Sequence, residues 1–236
     1  MTYSLSQTDT SNADDIVCKG TKETMKNTLR PRTTLPARRS QETRQRILDA
    51  AYAVFVRAGY GAASVDEIIA EADISKGALY HHFSGKMAMF QAILADHVRR
   101  CAQQMTAAID PLASIQENVE NVLRASWEAV KSDPAWPALQ MEFWVQSTRD
   151  DTAREVLADS FNQCREVVAG FVAALKNAGV VEGRVDPEAA ARLFIAVNDG
   201  VLLQWQVQPD EIDPDGLLRP MAQMITRFMT CKDAGS

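Results

Sequence analysis

Nowhere does the chain hold the roughly 18 consecutive apolar residues that a membrane-spanning helix needs. Its start, MTYSLSQTDTSNADD, lacks a basic residue followed by an apolar block, so it does not read as a secretory leader. Cysteine is sparse: Cys18, Cys101, Cys164 and Cys231 lie far apart and form no CxxC pair. That usage excludes a disulfide framework and predicts reduced, packing thiols in a cytoplasmic protein. Val, Ile, Tyr and Phe never alternate with polar residues for long, which excludes a sheet of any size. The bulk pI of 5.2 argues against non-specific coating of nucleic acid.

The charge that is present is unevenly spread. Residues 1–39 carry seven Lys/Arg against four Asp/Glu, and residues 101–236 carry eleven against twenty. The sharpest basic excess is Arg30, Arg32, Arg38, Arg39, Arg44 and Arg46, opposed only by Glu42. One local basic footprint at the N-terminal end is therefore possible in an acidic protein.

Residues 1–39 are polar, with no apolar period, and read as a disordered basic tail. From Ser40 the pattern is helical. Ile47, Ala50, Ala51, Val54, Phe55 and Ala58 make one stripe that ends at Gly59. SVDE (64–67) is a capping box that opens a short second helix with Val65, Ile68, Ile69 and Ala72. Ser75 is the N-cap of a third short helix through Phe83, and Lys86 opens a longer fourth. Downstream, Pro111, Pro134, Pro187 and Pro214 each follow an Asp, an N-cap with a proline at the first helical position. Helices are predicted near 114–132, 134–148, 151–178, 187–207 and 214–231, with a turn at 177–183. The fold class is all-α.

Two short helices joined by a tight turn, behind a longer one, form a helix-turn-helix. The second helix of that motif enters the DNA major groove with its N-terminal residues at the base edges. Here that end is Ser75, Lys76, Gly77 and Ala78. Ser75 and Lys76 supply hydrogen bonds, Lys76 suits guanine O6/N7, and Gly77 and Ala78 have no bulk to hold the backbone off. Tyr80 and His82 read as clamps on backbone phosphates. Lys86, Arg44 and the Ser64 hydroxyl are further candidate phosphate contacts.

VDEIIAEADISKGALYHHFSGK resembles the DNA-binding domain of the tetracycline-repressor (TetR) family. The family pattern is matched at Val65, Ile68, Ala70, Ala72, Ser75, Gly77, Leu79, Tyr80, His82, Phe83 and Lys86, within a resemblance spanning 41–101. Asp73 stands where the family has Gly, in a turn that wants a left-handed residue, which Asp tolerates better than most. Ala63-Ser64 replaces Thr-Thr, and Met87 replaces an acidic residue. The resemblance implies a helix-turn-helix domain at 40–86 and a helical ligand-binding and dimerisation domain at 87–236. It also implies a homodimeric regulator, more often a repressor, on double-stranded DNA with a palindromic operator that a small-molecule effector releases. EFWVQSTRDD and DGVLLQW also resemble the C-terminal domain of BetI-type members, which sense choline.

Other readings of the same residues are weaker. His81 and His82 point about 100° apart on a helix and cannot share one metal ion. Gly85-Lys86 is followed by Met87, not the Ser/Thr of a phosphate loop. Tyr80 and His82 have no partnered acid, base or nucleophile, so no enzyme and no cofactor is expected. His97 falls on the apolar stripe of the fourth helix and reads as a packed histidine. An all-α small-molecule-binding protein without operator-reading activity is the alternative.

The acidic half supports a pocket and an interface. AARLFIAVNDGVLLQW (190–205) is apolar on nearly every side, so a second copy is expected to help cover it. Phe161, Val168 and Phe171 on one helix, with Phe194, Val197 and Val201 on the next, are the expected dimer residues. Trp127, Trp136, Phe143 and Trp144 form a candidate pocket wall, with Asn198 as a polar group that could orient a ligand. An aromatic, acidic pocket suits a cationic or amphipathic ligand, provided that no Lys or Arg lines it.

Overall fold

The computed structural model describes residues 35–110, 112–177, 181 and 185–230. Among them are nine helices and no strand: α1 Leu35–Ala58, α2 Val65–Ala72, α3 Lys76–His82, α4 Lys86–Ala107, α5 Ile115–Ser132, α6 Trp136–Ser147, α7 Asp151–Asn177, α8 Pro187–Val207 and α9 Pro214–Thr230. The all-α expectation holds, and the boundaries of the downstream helices fall close to those predicted. The difference is at the start. Helix α1 begins at Leu35 rather than Ser40, so residues 35–39 of the expected disordered tail are helical. Ala37, Arg38 and Arg39 are good helix formers, and Arg38 pairs with Glu42 one turn on at 3.0 Å. The rest of that tail lies outside the described residues. So do Pro111 and, apart from Asn177 and Val181, the 177–183 turn.

The chain divides into two compact units, 1–42 and 43–236. The described part of the first is the helical segment 35–42. The second holds everything else, in two apolar cores.

The first core gathers Ile47, Val54 and Phe55 of α1, Ile68 of α2, Leu79 of α3 and Phe90 of α4, all buried. It does not stop at residue 86. Trp136, Leu139 and Phe143 of α6 and Ala153 and Val156 of α7 belong to the same cluster. The two short helices α2 and α3 cannot cover both the α1 stripe and Phe90, so α6 supplies the missing wall. Each fully buried side chain of this size contributes roughly 1.5–3 kcal/mol. The second core joins α5, the C-terminal half of α7, α8 and α9, with Leu123, Trp127, Ala191, Leu218 and Met229 at its centre.

Candidate nucleic-acid interface and internal cavity

The helix-turn-helix is assembled by its own capping groups. Ser64 Oγ accepts the Glu67 amide at 3.2 Å, while the Glu67 carboxylate accepts from the Ser64 amide at 2.9 Å. This capping box starts α2. Asp73 ends it in the left-handed region, at φ 49° and ψ 58°, as its place in the turn predicted. The Arg46 guanidinium donates to the carbonyls of Ala72 and Asp73 at 2.5 and 3.0 Å, closing the C-terminus of α2. Ser75 Oγ accepts the Ala78 amide at 3.2 Å and starts α3. Leu79, fully buried, and Phe83 anchor α3 in the first core.

That anchoring decides which face of α3 is free. Ser75, Lys76, Gly77, Tyr80 and His81 are exposed, whereas Ala78 and His82 are half-buried. Tyr80 keeps 49% of its surface. A side chain added at Gly77 would meet nothing within 4 Å, so the backbone there is open to approach. Lys76 Nζ stands 3.5 Å from Asp66 in a pair exposed on both sides, which holds it weakly. Burial, then neighbouring His81 and Arg44, lowers the His82 pKa below its ordinary value. Arg44 is exposed and lies 5.1 Å from the centre of the Phe83 ring.

Two expected phosphate contacts have other partners. The Ser64 hydroxyl is taken up by Glu67, whose carboxylate also puts negative charge at the start of α2. Lys86 Nζ donates to the carbonyls of Tyr60, Gly61 and Ala63 at 2.7, 3.0 and 3.0 Å. It also lies over the Tyr60 ring at 4.7 Å. From the other side, Glu142 of α6 accepts the amides of Tyr60 and Gly61, both at 3.1 Å. The 59–63 loop is thus clamped between an ammonium from α4 and a carboxylate from α6. Gly59 is required there: its φ is +79°, and a Cβ would sit 2.9 Å from both Glu142 oxygens. The sequence marks Arg46 only as part of the N-terminal basic excess and gives no sign of the roles of Arg46 and Glu142, because long-range caps leave no local pattern.

Below the motif, at the seam of the two cores, is a cavity of ≈ 140 Å³. Leu94, His97 and Cys101 of α4, Trp136 and Gln140 of α6, Phe161 and Cys164 of α7 and Asn198 and Asp199 of α8 are on its wall. His97 stacks on Trp136, centroids 4.1 Å apart, with Nε2 3.3 Å from Cys101 Sγ. Burial, with Arg100 nearby, lowers its pKa to about 4, so it is a neutral packed histidine as expected. Burial raises the Asp199 carboxyl to about 6 and the Cys164 thiol to about 11. A second, apolar cavity of ≈ 60 Å³ adjoins, lined by Val119, Val122, Phe171, Ile225 and Met229. Met105, Val167, Val168 and Phe194 border both.

The expected pocket wall is therefore split. Trp136 and Asn198 line the larger cavity. Trp127 lies in the second core, edge-on to Trp205 at 5.8 Å. Phe143 stacks on Phe90 at 3.9 Å in the first core. Trp144 is half-buried near Phe161, at 6.2 Å. The window 127–144 crosses the break between α5 and α6, which sends its rings to different cores.

The expected dimer residues are also placed differently. Val168 and Phe194 are buried, Phe161 and Phe171 line the cavities, and Val197 and Val201 pack on the second core. The free apolar face of α8 is instead Leu193, Ala196, Gly200, Leu203 and Val207. Of these, Leu193, Leu203 and Val207 keep 46%, 47% and 71% of their surface. Their spacing of three and four residues was legible, but a helix apolar on every side offered no reason to prefer that stripe.

Comparison with known proteins agrees with this arrangement. Residues 47–93 match the model of bacterial regulatory proteins of the tetR family, and residues 115–230 match the BetI-type transcriptional repressor C-terminal domain. The HTH-type transcriptional regulator UidR of Escherichia coli is 28% identical over 169 residues, covering 72% of this chain and 84% of that protein. The regulator TtgW of Pseudomonas putida is 40% identical over 96 residues, 41% of this chain and 69% of that one. The structure of Salmonella enterica GusR superposes with a TM-score of 0.69 at 25% identity, covering 84% of this chain and 98% of the other. The relatives are transcriptional regulators rather than enzymes. With a helix-turn-helix at one end and a cavity-bearing helical body at the other, the chain belongs to the tetR family of bacterial transcriptional regulators.

Proposed function

We propose that the protein is a homodimeric repressor that binds a roughly palindromic operator and releases it when a small molecule fills the seam cavity. The observation that carries the DNA part is the free face of α3. Ser75, Lys76, Gly77 and Tyr80 are exposed together, on a helix anchored only from behind by Leu79 and Phe83. Lys76 reads a base edge, the open backbone at Gly77 lets α3 sit deep in the groove, and Tyr80, His82 and Arg44 hold phosphates. Ser64 and Lys86 act indirectly, by fixing α2 and the 59–63 loop.

The α8 stripe supports the dimer. Gly200 is at its centre, and a Cβ there would meet nothing within 4 Å. Two antiparallel copies crossing at Gly200 would set Leu193 against the partner's Val207 and Ala196 against the partner's Leu203. A two-fold dimer presents two copies of α3 to successive major grooves.

Release follows from where the cavity lies. Helix α4, roughly 30 Å long, lines the cavity with His97 and Cys101 and enters the first core with Met89 and Phe90. Helix α6 lines it with Trp136 and Gln140 and holds the 59–63 loop through Glu142. A ligand that prefers a splayed arrangement of these helices by a few kcal/mol lowers DNA affinity in proportion.

The test is selection of genomic fragments by the purified protein at physiological salt, alongside Gly77→Val. Enrichment of a few fragments sharing an inverted repeat, lost at least tenfold in the valine variant with folding intact, is the expected result. Equal retention of all DNA, or of none, overturns the operator reading in favour of a ligand-binding protein without it.

A further inference from the structure

The larger cavity has a lopsided charge. Among the residues that line it there is no Lys or Arg, and Asp199 is the one carboxylate. His97 is neutral at physiological pH, and the thiols of Cys101 and Cys164 are held protonated by burial. The Asp199 carboxyl is shifted by burial alone, with no cation drawing it back. Arg165 and Arg192 border, together with Asp199 itself, an outer groove between α7 and α8, where Arg165 faces Glu188 at 3.6 Å and neither arginine forms an ion pair with Asp199. Asp199 is therefore a half-buried carboxylate that makes no ion pair among the described residues and lines a cavity whose wall holds no Lys or Arg.

The cavity is also divided. Asp199 and Asn198 stand on the wall of the larger chamber, while the adjoining one is lined mainly by aliphatic side chains. Met105 and Phe194 stand between the two. Methionine has three rotatable bonds and a soft thioether, so it can swing aside without breaking a hydrogen bond. Such a shape favours a molecule with a small polar head and an unbranched apolar tail.

We propose that the effector is a protonated alkylamine, its ammonium set against Asp199 and its tail passing Met105 and Phe194 into the aliphatic chamber. This rests on the reading of the cavity as the effector site and names its ligand class. A head bearing N–H donors satisfies the Asp199 oxygens and the Asn198 carbonyl, whereas a quaternary head has none to donate. A buried carboxylate that gains a cation recovers part of its desolvation cost, which a neutral or anionic head cannot offer.

The experiment is calorimetric titration of the full chain without DNA at mildly alkaline pH. The probes share one tail: hexylamine, hexanol, hexanoate and hexyltrimethylammonium. Hexylamine is expected to bind at least about tenfold more tightly than the other three, which is about 1.4 kcal/mol. Asp199→Asn should erase that margin and leave hexanol unchanged. Equal or tighter binding of hexanol, hexanoate or the quaternary probe, or a margin that survives in Asp199→Asn, overturns the proposal. Should that variant not fold, lengthening the wild-type probe from propylamine to hexylamine decides. Each methylene should gain roughly two- to fourfold as the tail fills the second chamber, and a flat series overturns it. Because no DNA is present, this outcome is independent of whether the protein reads an operator.

Discussion

The first core is a run of touching rings, and the second is mostly branched aliphatics and methionine. Phe90 lies 3.9 Å from Phe143, 5.1 Å from Tyr60 and 6.0 Å from Phe55, centroid to centroid. These flat, rigid groups fill the space between α1, α4 and α6 with little room to rearrange. In the second core the ring pair is Trp127 and Trp205, and its walls border both cavities. A sensor needs both kinds of packing. In the proposed function the packed rings would hold the reading head in one shape, while the cavities would give a ligand room in the body.

The comparison can be broken most directly in the first core. Phe90→Ala should cost about 3–5 kcal/mol of stability, because a well-packed ring site collapses poorly. Val122→Ala, at the wall of the smaller cavity, should cost clearly less, and urea titration of both measures the contrast. Equal losses would mean that the two cores are packed alike.

The seam has a pH signature. His97 has an ordinary pKa of 6.5 in the unfolded chain and about 4 in the fold. Between those values the unfolded chain takes up a proton that the folded one does not, so stability falls as pH drops from 6.5 towards 4. The whole shift is worth about 3 kcal/mol. Asp199 works in the opposite sense. Its carboxyl rises from 3.8 to about 6 on folding, so the folded state binds the extra proton and gains stability over the overlapping window. His97→Gln should flatten the acid limb of the stability curve, and Asp199→Asn should steepen it. Denaturant midpoints across this range separate the two.

Smaller effects sharpen the picture. Gly59→Ala should destabilise by about 1–3 kcal/mol, through the left-handed backbone and the collision with Glu142. Thermal unfolding would show it, and Glu142→Ala should relieve only the collision. Val119→Ile, which adds a methylene beside the smaller cavity, should stabilise by up to about 1 kcal/mol in the same assay. A loss instead would mean that this chamber is already at packing density.

How legible each part was depends on the range of the forces that shape it. The capping box at Ser64–Glu67, the N-cap at Ser75 and the left-handed turn at Asp73 are local, and each could be read from a few neighbouring letters. So could the α1 stripe and the exposed side chains Lys76 and Tyr80, since a helix of known register has a known outer face. The clamp on the 59–63 loop could not. Lys86 and Glu142 lie 56 positions apart in the chain and meet only because α4 and α6 pack on one core. The aromatic window 127–144 misled for the same reason, as closeness in the chain is not closeness in space once a helix break intervenes.

By itself, then, the sequence determined the helices, their caps and a DNA-reading motif, because backbone capping and amphipathic period act over one or two turns. The tertiary structure decided which polar groups are already satisfied, which aromatic rings are buried in the cores, which stripe of α8 is left bare and where the cavity opens beside Asp199. Those are questions of what packs against what, and an all-apolar helix or an isolated carboxylate has no answer to them until its neighbours are in place.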